Sequence, residues 1–352
     1  MSAIAPTRPD GQPLRLLALD GGGVRGLVTL MILRRLMYLI SPDNPPKPCD
    51  VFDVIAGTST GGIIAIMLGR LEMDVDTALA AYRNLSKEVF IPRKRNRILG
   101  SRFQNFIGNG TFDHKALEKI IKSIIKEALT KQQCTGKLEE APLLQEHPKC
   151  KIFVCVSMSN TKTQRLRNYH SVTEEHIECT IWEAARATSA APTFFDPITF
   201  SNGATFRDGA LRDNNPIFQL INEVSQEFSS REIGTILSLG TGVSSAISLG
   251  SGLLSVAEAC AKIATDTEEK AEAFTETYCG PGGKFRNKYF KFNVTQGLQN
   301  VGLEEWHKLD RTWASTQDYL KSQDQRERLN SCARSLQGIP KESAAGQGTN
   351  AI

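Results

Sequence analysis

A serine between two glycines is the first residue in this chain with a spacing that could support catalysis. Gly57-Thr58-Ser59-Thr60-Gly61 matches the pattern G-x-S-x-G, and it lies between a predicted strand, Phe52 to Ala56, and an apolar helix from Gly62. On such a strand-to-helix turn, a strained bend pushes the serine hydroxyl out above the sheet. A glycine-rich turn with no catalytic role is the structural alternative, because short patterns recur by chance. The pattern alone therefore favours a serine nucleophile only slightly.

A second glycine turn could stabilise negative charge. Leu14 to Leu19 predicts a short strand that ends in Asp20, and Gly21-Gly22-Gly23-Val24-Arg25-Gly26 separates it from an apolar helix. Consecutive amides without side chains at a helix N-terminus can form an oxyanion hole, to which Arg25 would add positive charge. The loop also satisfies G-x-G-x-x-G, a dinucleotide-binding pattern. That pattern requires an acidic residue about 20 positions later. Here this position falls in the proline-rich segment SPDNPPKPCD, so nucleotide binding is disfavoured.

A serine nucleophile also needs a base. Asp208, which follows the predicted hairpin Thr199 to Phe206, is a candidate acid. In an α/β-hydrolase the histidine follows the acid in sequence. Only one histidine, His307, follows Asp208. His307 lies in EEWHKLD, a charged and predicted helical segment. The other four histidines precede Asp208 in polar or helix-start settings: His114, His147, His170 and His176. The candidates are therefore a Ser59–Asp208 dyad or a triad of unusual order.

The elements around these residues predict one α/β fold. Strands alternate with helices along the chain, which indicates a mainly parallel sheet covered by helices on both faces. Functional residues in such sheets lie at the carboxyl ends of the strands. Asp20, Ser59, Asp208 and Gly240 all occupy such ends. This convergence predicts a single site.

A cationic and apolar segment precedes the second long helix. Phe90 to Ile107 interleaves Arg93, Lys94, Arg95, Arg97 and Arg102 with large apolar residues, among them Phe103 and Phe106. This mixture suits either a membrane interface or a lid over an apolar pocket. The alternative is a solvated loop whose apolar residues pack under the domain.

Composition excludes several classes of protein. The 352 residues are 40% hydrophobic and 23% charged, and a net charge of +4 does not by itself indicate a nucleic-acid partner. No run reaches the roughly 18 apolar residues of a spanning helix. The polar start, MSAIAPTRPDGQP, does not resemble a secretory signal. The eight cysteines contain no C-x-x-C pair, which favours a reducing, cytoplasmic compartment over a disulfide or zinc scaffold.

Four ordered motifs then resemble the patatin-like phospholipase domain. They are D-G-G-G-x-R-G at Asp20 to Gly26, G-T-S-T-G-G at Gly57 to Gly62, A-T-S-A-A-P-T-F-F at Ala187 to Phe195, and D-G-A at Asp208 to Ala210. Ala210 replaces the final glycine that the family often has. The resemblance covers about Leu14 to Val301, and Ser238 to Gly242 also fits it.

The resemblance implies a three-layer α/β/α fold like the catalytic domain of cytosolic phospholipases. It also implies lipid acyl hydrolysis by a Ser-Asp dyad without histidine, metal or cofactor. Carried over to this chain, Ser59 is the nucleophile, Asp208 is the base, and Gly21, Gly22, Gly23 and Arg25 form the oxyanion-hole loop. Glycerophospholipid is the expected substrate, met at a membrane or micelle surface by a peripheral contact. Triacylglycerol, galactolipid and lysolipid remain alternatives, and the sequence does not indicate an oligomeric state.

The expected domain organisation follows from these boundaries. Residues 1–13 are predicted as a disordered tail, 14–302 as the patatin-like domain, 303–337 as a helical extension and 338–352 as a second disordered tail. A catalytically silent membrane- or partner-binding module with the same fold is the alternative function. The presence of Ser59, Asp208 and the glycine loop together argues against it.

Overall fold

The protein is described by a computed structural model over residues 11–91, 111–158, 162–192, 194–243 and 254–338. Within 254–266 the description covers the backbone alone. Eight strands lie in these residues: β1 (Leu14–Leu19), β2 (Val54–Thr58), β3 (Lys151–Met158), β4 (Lys162–Arg167), β5 (Ile198–Thr199), β6 (Thr205–Asp208), β7 (Ile233–Leu239) and β8 (Tyr289–Phe292). They form one sheet in the order β5-β6-β3-β2-β1-β7-β8, with β4 also paired to β3.

Helices connect the strands. The described residues contain α1 (Gly26–Ile40), α2 (Pro48–Val51), α3 (Thr60–Ala65, extended by a π-helical segment Ile66–Arg70), α4 (Val75–Val89), α5 (His114–Lys131), α6 (Ile181–Thr188), α7 (Ala210–Asp213), α8 (Ile217–Glu227), α9 (Leu254–Cys279), α10 (Leu309–Lys321) and α11 (Gln323–Gln337). None of them, in the part of the chain described, combines the length and apolarity that crossing a bilayer requires.

The sheet is covered on both faces, as the alternation of elements predicts. Successive residues of a strand face opposite sides of a sheet. In β1, Leu17 and Leu19 pack into the larger core, which contains α1, α3, α4 and α6. Leu16 and Ala18 pack into the smaller core on the opposite face, with side chains of α8 and α9. The three-layer α/β/α architecture is therefore confirmed.

Most of the sheet is parallel. Strands β2, β1, β7 and β8 run parallel to one another, and β3 joins them beside β2. Strands β4 and β6 are antiparallel to β3, and β5 is antiparallel to β6. The carboxyl ends of β1, β2, β3 and β7 therefore share one edge of the sheet, where the sequence places its glycine turns.

The strand before Ser59 runs later than expected. The sequence predicts it over Phe52 to Ala56, but Phe52 caps the C-terminus of α2, and β2 extends to Thr58, which pairs with Cys155 of β3. Helix α3 then begins at Thr60 instead of Gly62. Ser59 is thus the only residue between strand and helix, which makes the turn as short as it can be.

The predicted C-terminal extension, 303–337, shares the main core. Leu309, Leu329 and Leu336 of α10 and α11 are buried in the same cluster as the apolar face of α1. The Leu303 carbonyl accepts a hydrogen bond of 2.8 Å from the Val24 amide. This segment therefore supports the glycine turn after β1. Most of each predicted disordered tail, residues 1–10 and 339–352, lies outside the described residues.

Candidate active site

Ser59 occupies a strained turn between β2 and α3. Its backbone has φ 54° and ψ −125°, a left-handed conformation that side-chain-bearing residues rarely adopt. A Cβ atom at Gly57 would lie 2.1 Å from the Gly61 carbonyl oxygen, and one at Gly61 would lie 2.1 Å from the Leu19 oxygen. Only glycine fits both positions, so the sequence pattern has a steric cause. Strain of this kind is found where a reactive side chain must project from the backbone.

Asp208 reaches Ser59 because two strands meet end to end along β3. Strand β4 pairs along one edge of β3, opposite residues that also pair with β2 or with β6. Both β2 and β6 therefore pair with the other edge of β3. Thr58 pairs with Cys155, and Asp208 pairs with the next residue, Val156. The chain termini of β2 and of the oppositely directed β6 therefore face each other. This arrangement brings the serine and the aspartate together from positions 149 residues apart.

Among the described residues, no cation is paired with the Asp208 carboxyl. It is fully buried, and burial raises its pKa from 3.8 to about 7. The Ser59 hydroxyl and the Ala210 amide oppose that shift, and the amide donates to Oδ1 at 2.7 Å. The hydroxyl is near enough to affect the pKa, yet Oδ2 has no hydrogen-bond partner of ordinary geometry among the described residues. Catalytic hydrogen bonds are often loose without substrate, and a carboxyl with a pKa near neutrality can accept a proton at physiological pH.

The carbonyls of the glycine turn are held away from the serine. Asn214 Nδ2 and Thr241 Oγ1 donate to the Gly21 oxygen at 3.2 and 3.0 Å. Tyr82 and Thr60 donate to the Gly23 oxygen through their hydroxyls.

The turn also lies against the serine. A Cβ at Gly21 would come within 3.0 Å of Ser59 Cβ. The Gly22 and Gly23 amides make no hydrogen bond among the described residues. These two amides are therefore candidate donors beside Ser59, together with the Thr60 amide at the start of α3, which also has no acceptor among the described residues.

Two predicted members of the oxyanion loop, Gly21 and Arg25, have their N–H donors directed to other partners. The Gly21 amide donates to the Asn214 carbonyl at 3.0 Å, so its N–H is already engaged. Arg25 is buried with Nη1 3.3 Å from the Gly242 oxygen, and it does not line the cavity beside Ser59. Arg25 joins the turns after β1 and β7 instead of facing the serine. The oxyanion hole therefore stays a prediction, with the Gly22 and Gly23 amides as its candidates in this loop.

An apolar cavity opens beside Ser59. It encloses about 730 Å³ including its mouth, and Gly22, Gly23, Ser59 and Asp208 lie in its wall. The remaining wall is mostly apolar: Ile63, Tyr82, Leu85, Val89, Phe90, Leu117, Phe194, Phe195, Leu211 and Leu303. Phe112 packs behind it, stacked on Phe194 with ring centroids 5.7 Å apart. A few polar groups in an apolar cavity are typical of a small-molecule site.

No histidine lines this cavity in the part of the chain described. The His307 side chain is 61% exposed beside Glu305, and His114 Nδ1 lies 2.9 Å from Asp196 Oδ2. Of the described residues that line the cavity, Asp208 alone carries a carboxylate. The geometry therefore favours the dyad over a triad of unusual order.

Sequence reasoning missed several residues that shape the site. Tyr82 and Asn214 lie outside the sequence motifs, and Leu303 lies beyond the expected domain boundary. Thr188 lies within the motif Ala187 to Phe195, but its spacing indicates no role. All four act through hydrogen bonds to backbone groups far away in sequence. The predicted membrane or lid residues, Arg93, Lys94, Arg95, Arg97, Arg102, Phe103 and Phe106, lie outside the described residues.

A known protein family matches the part of the chain that contains this site. The sequence model of the patatin-like phospholipase family matches residues 17–221, a span that contains both Ser59 and Asp208. The chain belongs to the patatin-like phospholipase family. Its predicted membership is confirmed.

Three individual proteins similar to this chain are between 12% and 31% identical to it over the aligned residues. Calcium-independent phospholipase A2-gamma of Rattus norvegicus is 31% identical over 338 residues, which cover 90% of this chain and 39% of the relative. The cGAMP-activated phospholipase of Vibrio cholerae is 31% identical over 240 residues, 64% of this chain and 62% of the relative. Among solved structures, VipD of Legionella pneumophila is 12% identical, with a TM-score of 0.43, covering 90% of this chain and 67% of that one. The chain thus spans about two fifths of the mammalian relative.

Proposed function

We propose that this protein is a lipid acyl hydrolase of the phospholipase A2 type, which cleaves fatty-acyl esters of glycerophospholipids. The observation that carries the proposal is the Ser59–Asp208 pair in the wall of an apolar cavity, with no histidine among the described lining residues. Membership of the patatin-like phospholipase family and the names of the relatives support it. Triacylglycerol, galactolipid and lysolipid remain alternative substrates of the same chemistry.

Acylation begins with proton transfer to Asp208. Ser59 Oγ attacks the ester carbonyl carbon while Asp208 Oδ2, which has no other partner, accepts the hydroxyl proton. The carbonyl oxygen becomes negative and accepts hydrogen bonds from the Gly22 and Gly23 amides. One such donor typically raises the turnover rate by a factor of about 10²–10³. Asp208 then returns the proton to the leaving alcohol oxygen as its bond to carbon breaks. The products of this half-reaction are a lysolipid and an acyl group on Ser59.

Deacylation repeats these steps with water. Asp208 takes a proton from a water molecule, whose oxygen attacks the acyl carbon, and Ser59 Oγ recovers the proton as the ester bond breaks. A free fatty acid leaves the apolar cavity. The proposal includes no metal or cofactor, so fatty-acid release is expected to continue in EDTA; a large loss there would contradict it.

The cavity is suited to an acyl chain. Phe90, Phe112 and Phe195 pack together at its aromatic end, with centroid separations of 5.4 to 6.1 Å. An acyl chain placed along this wall would be removed from water, at roughly 0.8 kcal/mol for each buried methylene. The headgroup would remain at the mouth, near the carboxyl edge of the sheet.

We also propose peripheral contact with a lipid surface at this mouth. Among the described residues, four large apolar side chains are exposed. Three of them are assigned to the carboxyl edge: Met158 ends β3, Leu211 lies in α7 just after β6, and Ile91 follows α4. The fourth, Val172, follows β4 toward the opposite edge and is 76% exposed. A cytoplasmic location fits the seven described cysteines, all of which are free.

Substitutions at the two edges test this surface. Ile91→Ser with Met158→Ser should weaken binding to mixed phosphatidylcholine–phosphatidylglycerol vesicles about 3- to 10-fold through lost apolar contact. Val172→Ser is the matched control and should bind as the parent protein does. Turnover of a soluble short-chain ester should be unchanged in all variants. Equal weakening by Val172→Ser would contradict the assignment of this face.

The catalytic proposal is tested by labelling and turnover together. A fluorophosphonate probe should label the purified protein, and mixed phospholipid vesicles should release fatty acid. Both signals should vanish in Ser59→Ala, while triolein, galactolipid and lysolipid assays rank the alternative substrates. A well-folded protein that neither labels nor releases fatty acid from any of these lipids would instead indicate a catalytically silent binding module.

A further inference from the structure

The segment Ala187 to Phe195 carries one of the four motifs, yet the proposed chemistry uses only its apolar end. Phe194 and Phe195 line the cavity. Of the preceding residues, Thr188 ends α6, and Ser189 and Ala190 follow it. This short segment contacts both Ser59 and Asp208. Its contacts with these two residues are made by a side-chain hydroxyl and a backbone carbonyl.

Thr188 holds the backbone of the serine turn. Its Oγ1 accepts the Ser59 amide at 2.9 Å and donates to the Cys155 carbonyl, also at 2.9 Å. The side chain is fully buried, so no solvent replaces either contact. One hydroxyl therefore connects the strained turn to β3, the strand whose edge brings β2 and β6 together.

Two residues later, Ala190 holds the aspartate. Its carbonyl accepts the Asp208 amide at 3.1 Å. Ser189 Oγ, between them, donates to the Ala185 carbonyl at 2.7 Å and so ties this short segment to α6. Both proposed catalytic residues are thus attached through their backbone amides to one short segment, Ser59 to Thr188 and Asp208 to Ala190.

We infer that Thr188 is a positioning residue, which fixes the Ser59 backbone at the distance from Asp208 that proton transfer needs. The inference rests on the proposed function, because that function assigns Ser59 as the nucleophile and Asp208 as the base. Ser59 has a conformation that is costly by itself. A hydrogen bond to its amide opposes relaxation of the turn, and a displacement of about 1 Å in such a site can reduce turnover about 100-fold.

Thr188 also has a packing role, and the two roles can be separated. A Cβ at Gly62 would lie 2.7 Å from both Cγ2 and Oγ1 of Thr188, so this side chain fills the space against α3. Thr188→Val keeps the shape and removes the hydroxyl. Thr188→Ser keeps the hydroxyl and removes the methyl group. Positioning by hydrogen bonding predicts that serine preserves turnover and valine does not, whereas packing predicts the reverse.

The experiment compares these variants in the full chain. Fatty-acid release gives kcat and KM, fluorophosphonate labelling gives the reactivity of Ser59, and thermal unfolding confirms that each variant is folded. We expect Thr188→Val to lower kcat and the labelling rate together by about 10- to 100-fold, with KM within about 2-fold. Thr188→Ser should remain within about 3-fold of the parent protein in both rates.

Two results would overturn the inference. One is a Thr188→Val protein that labels and turns over at the parental rate. The other is a folded Thr188→Ser protein that loses more than about 10-fold in kcat, and this result decides the matter even if the valine variant does not fold. Failure of the proposed function looks different: the parent protein itself would not be labelled, or its labelling would persist in Ser59→Ala.

Discussion

Two aspartates stand at the carboxyl ends of strands in this protein, and both are fully buried. Asp20 follows β1 and receives a hydrogen bond from the Lys291 ammonium group. Asp208 ends β6, and no described lysine or arginine is paired with it. Burial raises the pKa of both carboxyls, to about 6 for Asp20, where Lys291 opposes the shift, and to about 7 for Asp208.

The difference between them lies in their partners. The charge of Asp20 is balanced by Lys291, which also lies 3.3 Å from Ser238 Oγ, so this pair joins the ends of β1, β7 and β8. Among the described residues, the groups that affect the Asp208 carboxyl are the neutral Ser59 hydroxyl and Ala210 amide. A buried aspartate paired with a cation is held as a structural ion, whereas one without a cation can exchange a proton. The proposed role of Asp208 as the base therefore depends on its partners as well as on its burial.

The largest expected effect comes from removing the two carboxyls in turn. Asp208→Asn should lower kcat about 10²- to 10⁴-fold, because the amide cannot accept the Ser59 proton. Asp20→Asn is the matched change at the paired site, and its folded fraction should retain most of its turnover. Fatty-acid release normalised to folded protein measures both. Equal losses of kcat in the two variants would show that Asp208 has no special chemical role.

The second test removes the cation instead of the carboxyl. Lys291→Met should lower the free energy of unfolding by about 3–5 kcal/mol, because it leaves the Asp20 charge buried without a partner. The exposed pair of Lys288 with Glu232 is the control, since Glu232 is 71% exposed. Lys288→Met should cost less than about 1 kcal/mol.

Denaturant unfolding of both variants measures this difference. A second variant that combines Lys291→Met with Asp20→Asn should recover part of the loss, since no charge then remains buried. If Lys291→Met costs no more than Lys288→Met, the pair is not the structural ion described above.

The third test uses the pH dependence of stability. Because the pKa of Asp208 is raised from 3.8 unfolded to about 7 folded, the folded state holds this proton more tightly. The contribution is fully present below pH 3.8 and is lost as the pH rises through about 7. The loss amounts to roughly 4 kcal/mol, at 1.36 kcal/mol for each pKa unit.

Asp208→Asn should remove this dependence. The variant should therefore gain stability relative to the parent protein between pH 4 and pH 8, as measured by denaturant midpoints across that range. A stability difference between the two proteins that does not vary with pH would contradict a raised pKa at Asp208.

The sequence indicated the candidate residues of this site better than their assembly. Ser59, Asp208 and the glycine turns were identified from short patterns, because their proposed roles require particular residue types at fixed local spacing. The alternation of strands and helices likewise predicted the layered fold. The end-to-end meeting of β2 and β6 was not predictable, because β6 has four residues and its antiparallel pairing with β3 has no local pattern.

Long-range contacts with backbone groups explain the remaining differences. Whether a glycine amide is free depends on its neighbours in space: the Gly21 amide is engaged by Asn214, while those of Gly22 and Gly23 are not. Arg25 was expected beside the serine because of its place in the turn, but its side chain points toward Gly242. Such contacts join residues about 190 to 220 positions apart and leave no periodicity in the sequence.

The most direct test of the Asp208 assignment is the rate of fluorophosphonate labelling of Ser59 as a function of pH. The probe reacts with Ser59 as its proton leaves, so the rate reports the protonation of the base without lipid binding or product release. We expect the labelling rate to rise with an apparent pKa of about 7, and this limb to be absent in Asp208→Asn. A rate in the parent protein that is independent of pH between 5 and 9, or a limb that survives Asp208→Asn, would contradict the assignment of Asp208 as the base.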